Sequence, residues 1–103
     1  MDKSIHEIQE TVENGKKTAE LYLNSKLTIQ SDLDNLVFSL IPLIDRNDVV
    51  NMFSQKNTEI DMCFVQIIIA AKKYAEISKT SMHLNLNLSQ TSKDLLKLSD
   101  LEN

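Results

Sequence analysis

Residues 5–27 read IHEIQETVENGKKTAELYLNSKL, and the repeat of their apolar positions decides the fold class. Stepping three, then four, residues from Ile5 gives Ile8, Val12, Gly15, Ala19, Tyr22 and Lys26, and continues through Ile29, Leu33, Leu36, Leu40 and Leu43. Only Gly15 and Lys26 interrupt the line. Heptad alternation sustained this long predicts one long helix with a narrow buried seam, from about residue 3 to about residue 41.

Working outward, Pro42 disfavours helical dihedrals at Ile41, and PLIDRNDVV (42–50) carries Asp45, Asn47 and Asp48 before the next apolar pair. This predicts a turn, with Asp48 as N-cap of a second helix; a kinked continuous helix is the alternative. From Val49 the same stepping visits Phe53, Lys56, Ile60, Cys63, Ile67, Ala70, Tyr74, Ile77, Ser81, Leu84, Leu88, Thr91, Leu95 and Leu98. HLNLNLS (83–89) alternates with period two, but a lone strand would have no pairing partner, so it is read as helix. The expected fold is all-α, an antiparallel, coiled-coil-like two-helix hairpin with helices 3–41 and 49–90. The expected domains are a hairpin, 1–90, and a C-terminal tail, 91–103, open between helix and coil.

Composition supports that reading. A chain of 103 residues fits one domain, and a single Gly, a single Pro and 5% aromatics leave few turn residues for an all-β fold. The net charge of -4 and pI near 5.0 argue against a phosphate-binding surface. The basic doublets Lys16-Lys17 and Lys72-Lys73 have acids one turn away and read as solvated helix faces. The longest apolar run, MCFVQIIIAA (62–71), holds ten residues and is too short to span a bilayer. No signal peptide is visible in the first thirty residues, and the lone Cys63 cannot form an internal disulfide.

Folding the chain about residue 45 pairs position n with roughly 90 minus n. Leu95, Leu96, Leu98 and Leu101 then project past the first helix, which predicts a contact surface for another molecule. Near the middle of the hairpin, Leu21, Leu23 and Leu27 lie off the first seam, opposite Val65, Ile68 and Ile69 off the second. This surplus predicts a docking belt for partner helices, with irregular core packing as the alternative. Tyr22 and Tyr74 are expected to fill space on facing seams.

Chemistry for catalysis is sparse, so no enzyme, cofactor or metal site is expected. His6, His83 and Cys63 lack the spacing of a zinc set, although the two histidines could face each other at the open end of the hairpin. One glycine cannot form a phosphate-cradling loop. Cys63 reads as a small buried hydrophobe.

The tail element LKLSD (96–100) places Leu96 and Asp100 at an apolar-x-x-x-acid spacing just after the expected hairpin. In this the chain resembles the small WXG-superfamily proteins of Gram-positive type VII secretion, including the staphylococcal type. It lacks the W-x-G itself, and leucine stands where the export element has an aromatic residue. The resemblance implies a partner or substrate of that system, cytoplasmic before export and secreted without a cleaved signal peptide. It also implies pairing with another small WXG-like protein or the helical N-terminal region of a toxin, and a secretion ATPase that reads the tail. Alternatives are a cytosolic self-associating coiled-coil module, for example a homodimer, and a toxin-neutralising immunity protein.

Overall fold

In the computed structural model, which describes residues 5–28 and 33–98, Asn14 and Gly15 both have positive φ, 52° and 79°. Positive φ at both central residues is the two-residue turn that matches the twist of a β-hairpin, and Asn-Gly is its preferred sequence. The flanking segments pair antiparallel as β1 (Ile5–Glu13) and β2 (Lys16–Leu23), with Glu13 opposite Lys16. The expected all-α hairpin, with helices 3–41 and 49–90, is therefore not the fold of this chain, which is mixed α/β.

The chain continues through β3 (Lys26–Leu27), α1 (Leu33–Arg46), β4 (Val49–Ser54), β5 (Glu59–Ile60), α2 (Met62–Ile77), β6 (Ser81–Asn85) and α3 (Gln90–Leu98). A four-stranded sheet has the order β1-β2-β4-β6, and β3 and β5 form a separate two-residue parallel ladder. β4 runs parallel to β2 and β6 parallel to β4. Parallel neighbours need long crossovers, and α1 and α2 supply them. The lone glycine is thereby placed, at the one hairpin among the described strands. Other left-handed positions are filled by Asn57 (φ 56°) and Lys79 (φ 59°).

Alternation along the strands divides the sheet into two faces. Ala19, Leu21 and Leu23 of β2, Val50 and Met52 of β4, and Leu84 of β6 are buried in one core. The same core holds Leu36, Leu40, Leu43 and Ile44 of α1 and Phe64, Val65, Ile68, Ala71 and Ala75 of α2. Both helices thus cover the same face, leaving the intervening strand residues on one that, among the described residues, no helix covers.

Several local expectations are corrected. Pro42 neither ends a helix nor opens a turn: it lies within α1 on the exposed side, where the helix bond it removes, from position 42 to the Phe38 carbonyl, borders solvent. Asp48 caps no helix; its Oδ2 accepts from the Lys17 N–H at 2.9 Å and its own N–H donates to the Lys17 carbonyl at 2.8 Å, tying the start of β4 to the start of β2. The cap of α2 is Asp61, which accepts from the Phe64 N–H at 3.2 Å. The period-two stretch 83–89 begins in a strand whose partner is β4.

The described part of the tail belongs to the same core. Ser89 accepts at its Oγ from the Ser92 N–H, Ser92 Oγ accepts from the Ile60 N–H at 3.0 Å, and Leu96 is buried at 3% exposure. α3 therefore docks against β5 rather than projecting beyond the fold.

Candidate functional site

The strand register builds the uncovered face from three cross-strand rows. Glu7, Tyr22, Phe53 and Asn85 form one, Gln9, Glu20, Asn51 and His83 the next, and Thr11, Thr18, Val49 and Ser81 the third. The β2 and β4 members are half-buried by their neighbours, and the outer members are exposed. At the centre of the first row the Tyr22 and Phe53 rings stack with centroids 5.2 Å apart and planes 18° from parallel. Cross-strand aromatic pairs of this kind stabilise a sheet, yet this one stands outside the hydrophobic core.

Carboxylates surround the stack. The Tyr22 hydroxyl donates to Glu20 Oε2 at 3.4 Å, and Glu7 lies beside Tyr22 in the register and accepts from Gln9 Nε2. Burial, then the negative charge of Glu20 and Glu7, pushes the Tyr22 phenol above its ordinary value. By alternation Glu13 and Lys16 share this face at the hairpin tip, so three carboxylates are set against one ammonium. The opposite face of β1 differs, because Glu10 there is held by Arg46 in two bonds of 2.7 and 2.8 Å and by Asn47 Nδ2 at 3.0 Å. This array offers a stacking surface, hydrogen-bond acceptors and negative potential. Among the described residues no three His, Cys, Asp or Glu side chains gather as a metal site, and no helix is long and apolar enough to cross a membrane.

The sites expected from sequence fall elsewhere. Leu21, Leu23, Leu27, Val65 and Ile68 are at most 1% exposed, and Ile69 is half-buried against them, so the expected docking belt is the core of the chain itself. Of the tail leucines, Leu96 is core, Leu95 packs against the core, and Leu98 is exposed. Asp100 and Leu101 lie outside the described residues, so the Leu96–Asp100 element is represented only by a leucine held in the core. The helical hairpin that carried the WXG resemblance is absent. His6 and His83 stand on the two edge strands, three strand spacings or about 14 Å apart across the sheet and further offset along it because the register sets His83 in the row of Gln9, and they do not converge. Tyr22 and Tyr74 do not face one another; Tyr74 lies on α2 and its hydroxyl donates to Asp45 of α1. Cys63 is half-buried against the core.

Sequence reasoning missed Tyr22, Phe53, Glu20, Asn51 and His83 as members of one surface. A signal was present in AELYL (19–23), which alternates with period two and carries Tyr22 on its polar face; VVNMF (49–53), apolar on both faces around Asn51, carries none by alternation. No protein-family model matches this chain, and no curated protein matches it.

Proposed function

We propose that this protein is a binding module that engages another protein through the uncovered face of its sheet. The observation that carries the reading is the Tyr22–Phe53 stack, set among polar side chains on the face that neither α1 nor α2 covers. Large aromatic residues held rigid outside a core are the side chains that most often anchor protein interfaces. The carboxylates of Glu7, Glu13 and Glu20 oppose a nucleic-acid backbone, whose binding depends on lysine and arginine. They also oppose a face-to-face homodimer, which would set the same carboxylate rows against each other. The pairing with a protein partner expected from sequence is retained, moved from helix faces to a sheet face.

Site-specific photocrosslinking in the cells that make the protein tests this. A probe at Asn51, on the sheet face, is expected to give a discrete adduct, and a probe at Gln66, exposed on α2, is not. With the adducted partner purified, Tyr22→Ala or Phe53→Ala should weaken binding by about 2 kcal/mol or more while the circular dichroism spectrum is kept. Adducts from Gln66 and none from Asn51 would move the interface to the helices and refute the proposal.

A further inference from the structure

We infer that the centre of the sheet face receives a cationic side chain, an arginine guanidinium in preference to a lysine ammonium, from an extended segment of the protein partner. The inference rests on the sheet face being the docking surface and names the chemistry of what docks there.

Three observations converge on it. First, the Tyr22 and Phe53 rings stack on each other outside the core, so each has one face taken by its neighbour and one turned away from it, and a cation over such a face is attracted by the ring quadrupole. Second, carboxylates lie on two sides of the stack, Glu7 beside Tyr22 in the register and Glu20 two residues along β2. Among the described residues neither has a cationic partner, and the one ion pair is Arg46–Glu10 on the other face. The contact that Glu20 does make, from the Tyr22 hydroxyl at 3.4 Å, is longer than the roughly 2.5–2.7 Å of a strong bond to a carboxylate, so its oxygens keep capacity to accept. Third, the Tyr22 phenol is pushed up first by burial and then by the charges of Glu20 and Glu7, and that second contribution agrees with the carboxylates placed beside the ring by the register. A guanidinium fits these features together, because its plane stacks on a ring while its edge donates to a carboxylate; an ammonium does the second and stacks less well. Asn51, Asn85 and His83, further along the rows, supply polar groups to the backbone of an extended segment. The Glu10–Arg46–Asn47 contact shows the same pairing completed within the chain.

The test uses the full chain and defined probes. An acetylated hexapeptide alternating serine and arginine is titrated while the Tyr22 and Phe53 ring resonances are followed by NMR. Identical peptides with lysine or citrulline in place of arginine are compared, together with an eight-nucleotide oligouridylate. The arginine peptide should shift both rings saturably, the lysine peptide should bind more weakly, and the neutral citrulline peptide should lose on the order of tenfold in affinity. Glu7→Gln/Glu20→Gln should lose a similar factor with the amide spectrum otherwise unchanged. The citrulline comparison needs no variant, so it decides even if that double variant fails to fold. Equal binding of the arginine and citrulline peptides at these rings would overturn the cation inference and leave the sheet face as the docking surface. Shifts confined to α1 and α2 would overturn both. Tighter binding of the oligouridylate than of the arginine peptide would replace the protein partner with a single-stranded nucleic acid and refute the inference.

Discussion

Leu96→Ala tests whether the C-terminal leucines belong to the core. Leu96 is 3% exposed, whereas Leu98, two residues further along the same helix, is 86% exposed. Truncation to alanine removes three carbons, about 2.4 kcal/mol at about 0.8 kcal/mol per buried carbon, and an unfilled cavity adds to that. The expected loss is about 2–4 kcal/mol, a fall of roughly 10 °C or more in Tm for a domain of this size. One process limits the loss. If α3 detaches as a unit, the cost cannot exceed the free energy of detachment, and the Ile60 N–H then loses Ser92 Oγ as its acceptor. The assay is therefore urea unfolding followed by circular dichroism, paired with hydrogen exchange at the Ile60 amide. A lower midpoint with unchanged slope reports a lost core contact, and faster Ile60 exchange reports peeling of the helix; both follow from α3 docking through Leu96. Leu98→Ala should stay within about 0.5 kcal/mol of the parent. If Leu96→Ala behaves like Leu98→Ala, with Ile60 still protected, the assignment of the tail to the core is refuted.

Two further outcomes are expected. Gly15→Ala should cost about 1–2 kcal/mol through backbone strain alone, because its φ of 79° lies in the left-handed region while a Cβ there would meet nothing within 4 Å; hydrogen exchange confined to β1 and the start of β2 reads it, and a stability gain would refute the turn. Glu10 is held from 4.5 down to about 2, first by its bonds from Arg46 and then by Asn47. A lowered carboxylate stabilises the fold above its unfolded value and loses that contribution as pH falls from about 4.5 through about 2. Both partners are more than a third exposed, at 55% and 37%, so solvent screening keeps the contribution at about 1 kcal/mol or less. Arg46→Met should flatten that part of the stability–pH curve measured by urea unfolding; an unchanged curve would refute the pairing.

The misreading of residues 5–27 has a local cause. A register shift between Ile5 and Glu7 puts Ile5 and Ile8, three residues apart, on the same face of β1, so a bulged strand imitates a helical step. Further on, the stepping picked Tyr22, on the uncovered face, and set aside Leu21 and Leu23 as surplus, although Ala19, Leu21 and Leu23 are the period-two core row of β2. At β4 it likewise chose Val49 and Phe53 over the buried Val50 and Met52. In α2 the period was right and the phase was off by one. The core residues are Phe64, Ile68, Ala71 and Ala75, where the stepping named Cys63, Ile67, Ala70 and Tyr74, because a helix apolar on nearly every side does not declare its buried stripe. Asn14-Gly15 was the decisive hairpin signal, and it was read as a break in a seam.

Sequence alone determined that α1 is amphipathic on Leu33, Leu36, Leu40 and Leu43, that apolar residues are sufficient for one core, that Asn14-Gly15 permits a hairpin turn, and that acidic charge predominates. Each is a property of nearby residues and of short-range backbone preference. Only the tertiary structure decided that β2, β4 and β6 lie side by side, and hence that Phe53 meets Tyr22, which the β1–β2 hairpin had already set beside Glu7 and Glu20. Parallel pairing joins segments about thirty residues apart through helical crossovers, so its register is set by the burial of both crossover helices on one face of the sheet. No periodicity within a single segment carries that information, and the Tyr22–Phe53 stack at the centre of the candidate binding surface is made of it.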